Sequence, residues 1–230
     1  NAIEHLLGKV SFLTQLADHN KREGEWGIIL NLLGLLLGFA ILARHFEESG
    51  VPEFMQNTLP KGFWGPFLIL VFVFIMSSFL DNIAAAIIGG TLAKGVFKGK
   101  VHIGFLVAVV AASNAGGSGS VVGDTTTTMM WIDGVNALDV LHAYGAAIPA
   151  LLFFAFFGAW QQYKLQDVDK SVVVEYSIDI NKIVIIALIL VGAIISNVLY
   201  DMPALGVWIA ILVGATFSST PWYEVKHSIR

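Results

Sequence analysis

Residues 63–93 form an apolar tract of 31 residues with a single charged interruption, Asp81, followed directly by Asn82. A membrane-crossing helix uses about 20 apolar residues to span a hydrocarbon core of roughly 30 Å, so this tract is too long for one upright helix. The interruption cuts it into arms of 18 and 11 residues. The shorter arm, IAAAIIGGTLA, reaches only about 16 Å as a helix and cannot cross alone. A second interruption follows the basic turn KGVFKGK (94–100). Residues 101–112 are apolar for only 12 positions and run into SNAGGSGSVVGDTTTT, 113–128. Half a membrane is followed by a polar, breakable backbone, and apolar sequence resumes beyond it.

Composition sets the class. The chain is 56% hydrophobic and 13% charged, with mean hydropathy +0.75, against about 25% charged residues in soluble domains. These values predict an all-α polytopic membrane protein with the lipid bilayer as its partner. A net charge of −4 offers no basic surface for nucleic acid, and without cysteine there is neither a disulfide nor a thiolate metal site. The chain begins at Asn1 with no recognisable signal peptide and reads as a partial chain.

Further crossings are expected at 26–43, 138–160, 183–200 and 204–218, the last being short and either less tilted or extended through Trp222. Pro149 should kink the second of these, and Trp160 should anchor it at the interface. Residues 46–60, with Gly50, Pro52 and Pro60, read as a surface turn or short interfacial helix, and 161–179 as a polar linker. The segments 94–100, 161–182 and 219–230 carry three, three and two basic residues, whereas 133–139 and 200–203 carry none. The basic set is therefore expected on the cytoplasmic side. Charge counting leaves open whether 63–93 is a re-entrant hairpin or one kinked crossing.

The two interruptions are the chemical centre. Backbone freed from helical pairing at membrane depth must be buried in protein or line a hydrated cavity, and carboxylates there usually mark an ion or proton path. Asp81 and Asp124 each sit at a break among amide and hydroxyl groups: Ser77, Ser78 and Asn82 near the first, and Ser113, Asn114, Ser118, Ser120 and Thr125 to Thr128 near the second. Paired broken segments point to a transporter site. Plainer readings exist. Asp81-Asn82 could be an ordinary surface turn, and Gly119 with Gly123 a small-residue packing pair. Gly34 and Gly38 suit helix packing, and His142 a local hydrogen bond. Phe153, Phe154, Phe156 and Phe157 suit lipid or bundle contact, while Glu47, Glu48 and Glu53 suit a solvated surface.

SSFLDNIAAAIIGG (77–90) and ASNAGGSGSVVGDTTTTMMWI (112–132) resemble the paired signatures of the ion transporter superfamily. The Gly-Asp-x-Thr-Thr-Thr-Met-x-Trp form is most similar to NhaD-type sodium/proton antiporters. Arsenite permeases and citrate or dicarboxylate carriers share the broader pattern. The resemblance covers 26–160 and implies an inverted-repeat transporter fold with a re-entrant hairpin at 63–93 and an unwound helix within 101–132. Residues 1–179 would be the first repeat and 180–230 the start of a second. Carriers of this superfamily are often dimers, which implies a homodimer, and the implied location is the bacterial inner membrane.

By the same resemblance, a small inorganic or organic ion would be held between hairpin tip and unwound segment. Its ligands would be Asp81, Asn82, Ser113, Asn114, Asp124, Thr125, Thr126 and Thr127, with Gly116, Gly117, Gly119 and Gly123 as helix-break glycines. Asp81 and Asp124 would bind sodium and exchange it for protons, and no other cofactor is expected. Carboxylate symport and arsenite efflux are the alternatives within transport. From another class, Gly116-Gly117-Ser118-Gly119 and the His142/Gly145 pair mimic rhomboid protease motifs, which would make Ser118 a nucleophile. A structural subunit, indifferent to Asp81→Asn and Asp124→Asn, completes the alternatives.

Overall fold

The computed structural model describes residues 4, 7–10, 14–15, 25–171 and 174–216. Ten helices have both ends among them: α1 (Trp26–Glu47), α2 (Val51–Thr58), α3 (Trp64–Ser77), α4 (Asn82–Val96), α5 (Ile103–Gly117), α6 (Thr125–Ile132), α7 (Ala137–Leu141), α8 (Tyr144–Leu165), α9 (Ile180–Tyr200) and α10 (Pro203–Gly214). No strand occurs among the described residues. The expected segment 219–230, and the extension of the last span through Trp222, lie outside them. Trp26–Glu47, Ala137–Leu165 and Ile180–Tyr200 are long and apolar enough to cross a membrane. The chain divides into two compact units, residues 43–182 and residues 1–42 with 183–230.

In the larger unit, α3, α4, α5 and α8 pack together. A Cβ on Gly89 would collide with Val73. These residues stand eight positions either side of Asp81, so α3 and α4 run antiparallel about it. Gly89 also faces Val109, and Phe97 meets Phe105 edge-on at 5.6 Å, which makes α5 antiparallel to α4. Gly158 lies against Ala108, and Gly104 against Gln161, so α8 descends along α5. Ile69, Leu70, Val73, Met76, Leu80, Ala85, Phe105 and Ala112 form a fully buried seam. The outer face is apolar as well, with Ile75, Ile83, Ile87, Ile103 and Val107 all exposed. A helix set greasy on both faces suits lipid rather than water.

The other unit joins the start of α1 to α9 and α10. Gly192 and Gly206 bring α9 and α10 into backbone contact. The two glycines expected to serve packing do so, Gly34 against Ala204 and Gly38 against Val207. Asn31, buried in α1, donates to the Asp201 carbonyl and accepts from the Ala204 N–H, each at 3.3 Å, which satisfies the turn before α10.

Two expectations need adjusting, and the short-helix alternative for 46–60 is the one found. Residues 138–160 are not one helix: bonds of i to i−3 type at His142, Ala143, Gly145 and Ala146 tighten the chain between α7 and α8. Pro149 sits inside α8, which continues past Trp160 to Leu165. Within 46–60, Gly50 at φ 78 and Pro52 in the first turn start the helix α2. Glu48, expected to be simply solvated, takes Lys182 Nζ at 2.6 Å and Arg44 Nε at 2.8 Å.

Burial pushes the Glu48 carboxyl up, but the hydrogen bond and charge of Lys182, with Arg44 and His45, outweigh it and hold the group below its ordinary 4.5. The stabilisation is therefore complete above pH 4.5 and is lost as pH falls through the lower folded value. Lys182→Met should flatten the fall in melting temperature between about pH 6 and 3, removing on the order of 0.5 kcal/mol at neutral pH. Thermal unfolding in detergent across that range checks it.

Candidate functional site

Both breaks end and restart a helix by the same local chemistry. After α3 the chain tightens, with Ser78 N donating to Ile75 O and Leu80 N to Met76 O. Asp81 then caps α4, its Oδ2 accepting from Ile83 N at 3.1 Å. After α5 the chain is non-helical over 118–124, and Asp124 caps α6, its Oδ1 accepting from Thr126 N at 2.7 Å. A short carboxylate two residues before a free N–H is a favoured helix start. The break is thus shorter than the expected 113–128. Helix α5 reaches Gly117, and Thr125 to Thr128 already form the first turn of α6.

The two breaks lie against each other. Ser77 Oγ donates to Ser113 O at 2.5 Å and Ser78 Oγ to Gly116 O at 3.3 Å, so α3 and α5 run parallel and end at one level. A Cβ on Gly116 would strike the Phe74 carbonyl, and one on Gly123 the Ser77 carbonyl; one on Gly117 would lie 2.6 Å from Gly123 O. Only glycine lets these backbones approach so closely. Across the gap, the Asn82 amide donates to Asp124 Oδ2 at 2.8 Å and to Asn114 Oδ1 at 3.1 Å. Two helix C-termini, from α3 and α5, and two helix N-termini, from α4 and α6, therefore meet around the Asn82 and Asn114 amides and the Asp124 carboxylate, with Asp81 adjoining in sequence.

Most hydroxyls in the region are engaged with backbone. Ser118 Oγ donates to Ala115 O at 2.8 Å, and Ser113 Oγ to Val110 O at 2.9 Å. Thr127 Oγ1 lies 2.5 Å from Ser120 O and 2.9 Å from Asp124 O. Thr128 Oγ1 lies 2.8 Å from Val121 O and 2.9 Å from Asp124 O. Ser118, Thr127 and Thr128 thereby satisfy the Ala115, Ser120 and Val121 carbonyls at the break, whereas Val110 O lies within α5 and Asp124 O already accepts Thr128 N. Of the expected ligands, Asn82, Asn114 and Asp124 are brought into direct contact, with Asp81 adjoining. Ser113 and Thr127 are buried in carbonyl bonding, Thr125 is half-buried, and Thr126 is exposed.

One participant is absent from the sequence-level set. Tyr144 donates to Gly116 O at 3.1 Å and lays its ring on Gly119. No local motif marks it; its only signal is an aromatic hydroxyl opening an apolar span. No cluster of three or more His, Cys, Asp or Glu capable of holding a resident metal occurs among the described residues.

The family described as "Citrate transporter" matches residues 8–229. The chain belongs to the citrate transporter family. Among curated relatives, "Sodium/proton antiporter 2" of Arabidopsis thaliana is 33% identical over 113 residues, covering 46% of this chain and 25% of the relative. "Sodium/proton antiporter 1" of the same plant is 34% identical over 110 residues, covering 46% of this chain and 18% of the relative. The match thus spans a quarter or less of those relatives' length. No solved structure matches the chain. The family, by its description, is one of membrane transporters and not of enzymes, and the apolar helices of this chain suit a multi-pass integral membrane protein. The protease reading falls with that membership. Locally, Ser118 Oγ donates to a carbonyl, and His142 Nδ1 sits 3.2 Å from Asp139 O within its own turn.

Asparagine caps a helix about as well as aspartate, whereas alanine costs about 1 kcal/mol. Asp124→Ala should therefore lower the melting temperature more than Asp124→Asn, which keeps the cap and loses the bond from Asn82, as measured by thermal unfolding in detergent. The asparagine variant then removes charge without removing the cap.

Proposed function

We propose that this transporter exchanges sodium or lithium for protons by alternating access, with the cation held between the α3–α4 tip and the 118–124 break. The observation that carries this reading is the Asn82 to Asp124 hydrogen bond, which joins the two breaks at one carboxylate. Asp124 has one oxygen committed to capping α6, while the other faces a neutral amide. A proton or a small cation can take that second oxygen, but not both at once. This competition couples the two fluxes.

Asp81, Asn82, Asn114 and Thr125 bring further oxygens to the same region, of the hard kind that suits sodium. No Lys or Arg occurs at 62–93 or 101–163, so no fixed cation competes for the site. The printed names of the two plant relatives support the same ion pair. We read residues 1–179 as the first of two repeats, and 180–230 as the start of the second.

Carboxylate symport is the second reading, favoured by the family's description. The α4 and α6 N-termini could receive a carboxylate substrate while Asp81 and Asp124 held a co-transported sodium. The test is transport by the protein reconstituted in proteoliposomes, following internal pH while sodium, lithium or citrate is added outside. Antiport predicts cation-driven proton movement that is abolished in Asp124→Asn. Citrate uptake without cation-driven alkalinisation would transfer the assignment to the carboxylate carriers.

A further inference from the structure

The α5 terminus leaves the Ala115 and Gly116 carbonyls without a backbone N–H partner among the described residues, and Ser118 Oγ takes the first of them at 2.8 Å. Four residues beyond Gly116, the Ser120 N–H donates to Gly117 O instead. Tyr144 from the start of α8 donates to the Gly116 oxygen at 3.1 Å, and Ser78 Oγ from the end of α3 lies 3.3 Å from it, its one proton shared with Phe74 O at 3.2 Å. Tyr144 does more than donate. Its ring lies so close to Gly119 that a Cβ there would come within 2.6 Å of three ring carbons, and it packs on the Phe74 ring with centroids 5.7 Å apart. One side chain on α8 thus touches α3, the end of α5 and the broken segment.

We propose that Tyr144 is a positioning residue for transport, holding the end of α5 and the 118–124 segment in the register that brings Asn114 and Asp124 to Asn82. The proposal rests on the cation-exchange reading of that site. The Gly116 carbonyl is two residues from Asn114, whose Oδ1 meets the Asn82 amide. The Gly119 backbone begins the span that ends at the Asp124 cap. Released from α8, both would move relative to the α3–α4 tip, and the polar cluster would loosen without losing any of its own side chains. Tyr144 itself reaches the cluster only through backbone, so its removal should weaken ion capture and spare the turnover of captured ions.

The test compares Tyr144→Phe, Ser78→Ala and the double variant in proteoliposomes, with sodium as the probe and Asp124→Asn as reference. Phenylalanine keeps the ring seat on Gly119 and deletes only the donor. Tyr144→Phe should raise the half-saturating sodium concentration about fivefold, the value of one net hydrogen bond, with maximal rate and melting temperature nearly unchanged. The double variant, which strips both donors from the carbonyl, should lose more than the product of the single effects. Amide hydrogen exchange of residues 118–124 should quicken in Tyr144→Phe.

Unchanged half-saturation and unchanged exchange, with Asp124→Asn inactive, would overturn the role of Tyr144 and leave the ion site standing. If the unmodified protein moves no protons with sodium, the cation-exchange reading fails instead. The exchange measurement then decides for the tyrosine alone: quickened exchange upholds its hold on the break, and unchanged exchange removes it.

Discussion

Every unusual feature of the larger unit follows from one rule: a peptide group freed from its helix at membrane depth needs a partner from within the protein. Two helices stop short in this chain, and each stop releases carbonyls at one side and N–H groups at the other. The N–H groups are met by the carboxylates of Asp81 and Asp124. The carbonyls are met by hydroxyls of Ser77, Ser78, Thr127, Thr128 and Tyr144. Because the two stops lie side by side, one set of side chains serves both.

Close approach makes this sharing possible. Gly116 and Gly123 admit the carbonyls of Phe74 and Ser77 into space that any side chain would occupy. Glycine normally weakens a helix by roughly 1 kcal/mol relative to alanine. Here it offsets that cost by letting serine hydroxyls on one helix reach carbonyls on the next. Glycine and serine therefore occur together at the break for one reason: the first removes bulk and the second supplies the donor.

Much of this was legible in sequence. The lengths of the apolar arms around Asp81-Asn82 expressed a covalent limit on how far a helix can reach, and α3 and α4 divide there. Asp124 and the glycines before it marked the second break, because such residues are costly in a lipid-facing helix. The extent of that break was not legible. The composition of 113–128 is equally compatible with a long loop, and only the capping geometry shows helix up to Gly117 and again from Thr125. The roles of the hydroxyls were hidden for a related reason. Threonine can ligate an ion or satisfy a carbonyl, and the choice depends on which carbonyls lie within reach in three dimensions. Tyr144 was invisible because its partners, Gly116 and Phe74, come from helices distant in sequence.

The convergence of four helix ends has an electrostatic consequence. Each helix N-terminus carries about half a positive charge and each C-terminus about half a negative one. Two of each, gathered at one place, sum to no net charge. Any net charge at the junction therefore comes from side chains and not from the helix ends. The formal charges at the junction are those of the Asp81 and Asp124 carboxylates, one at the start of each resumed helix.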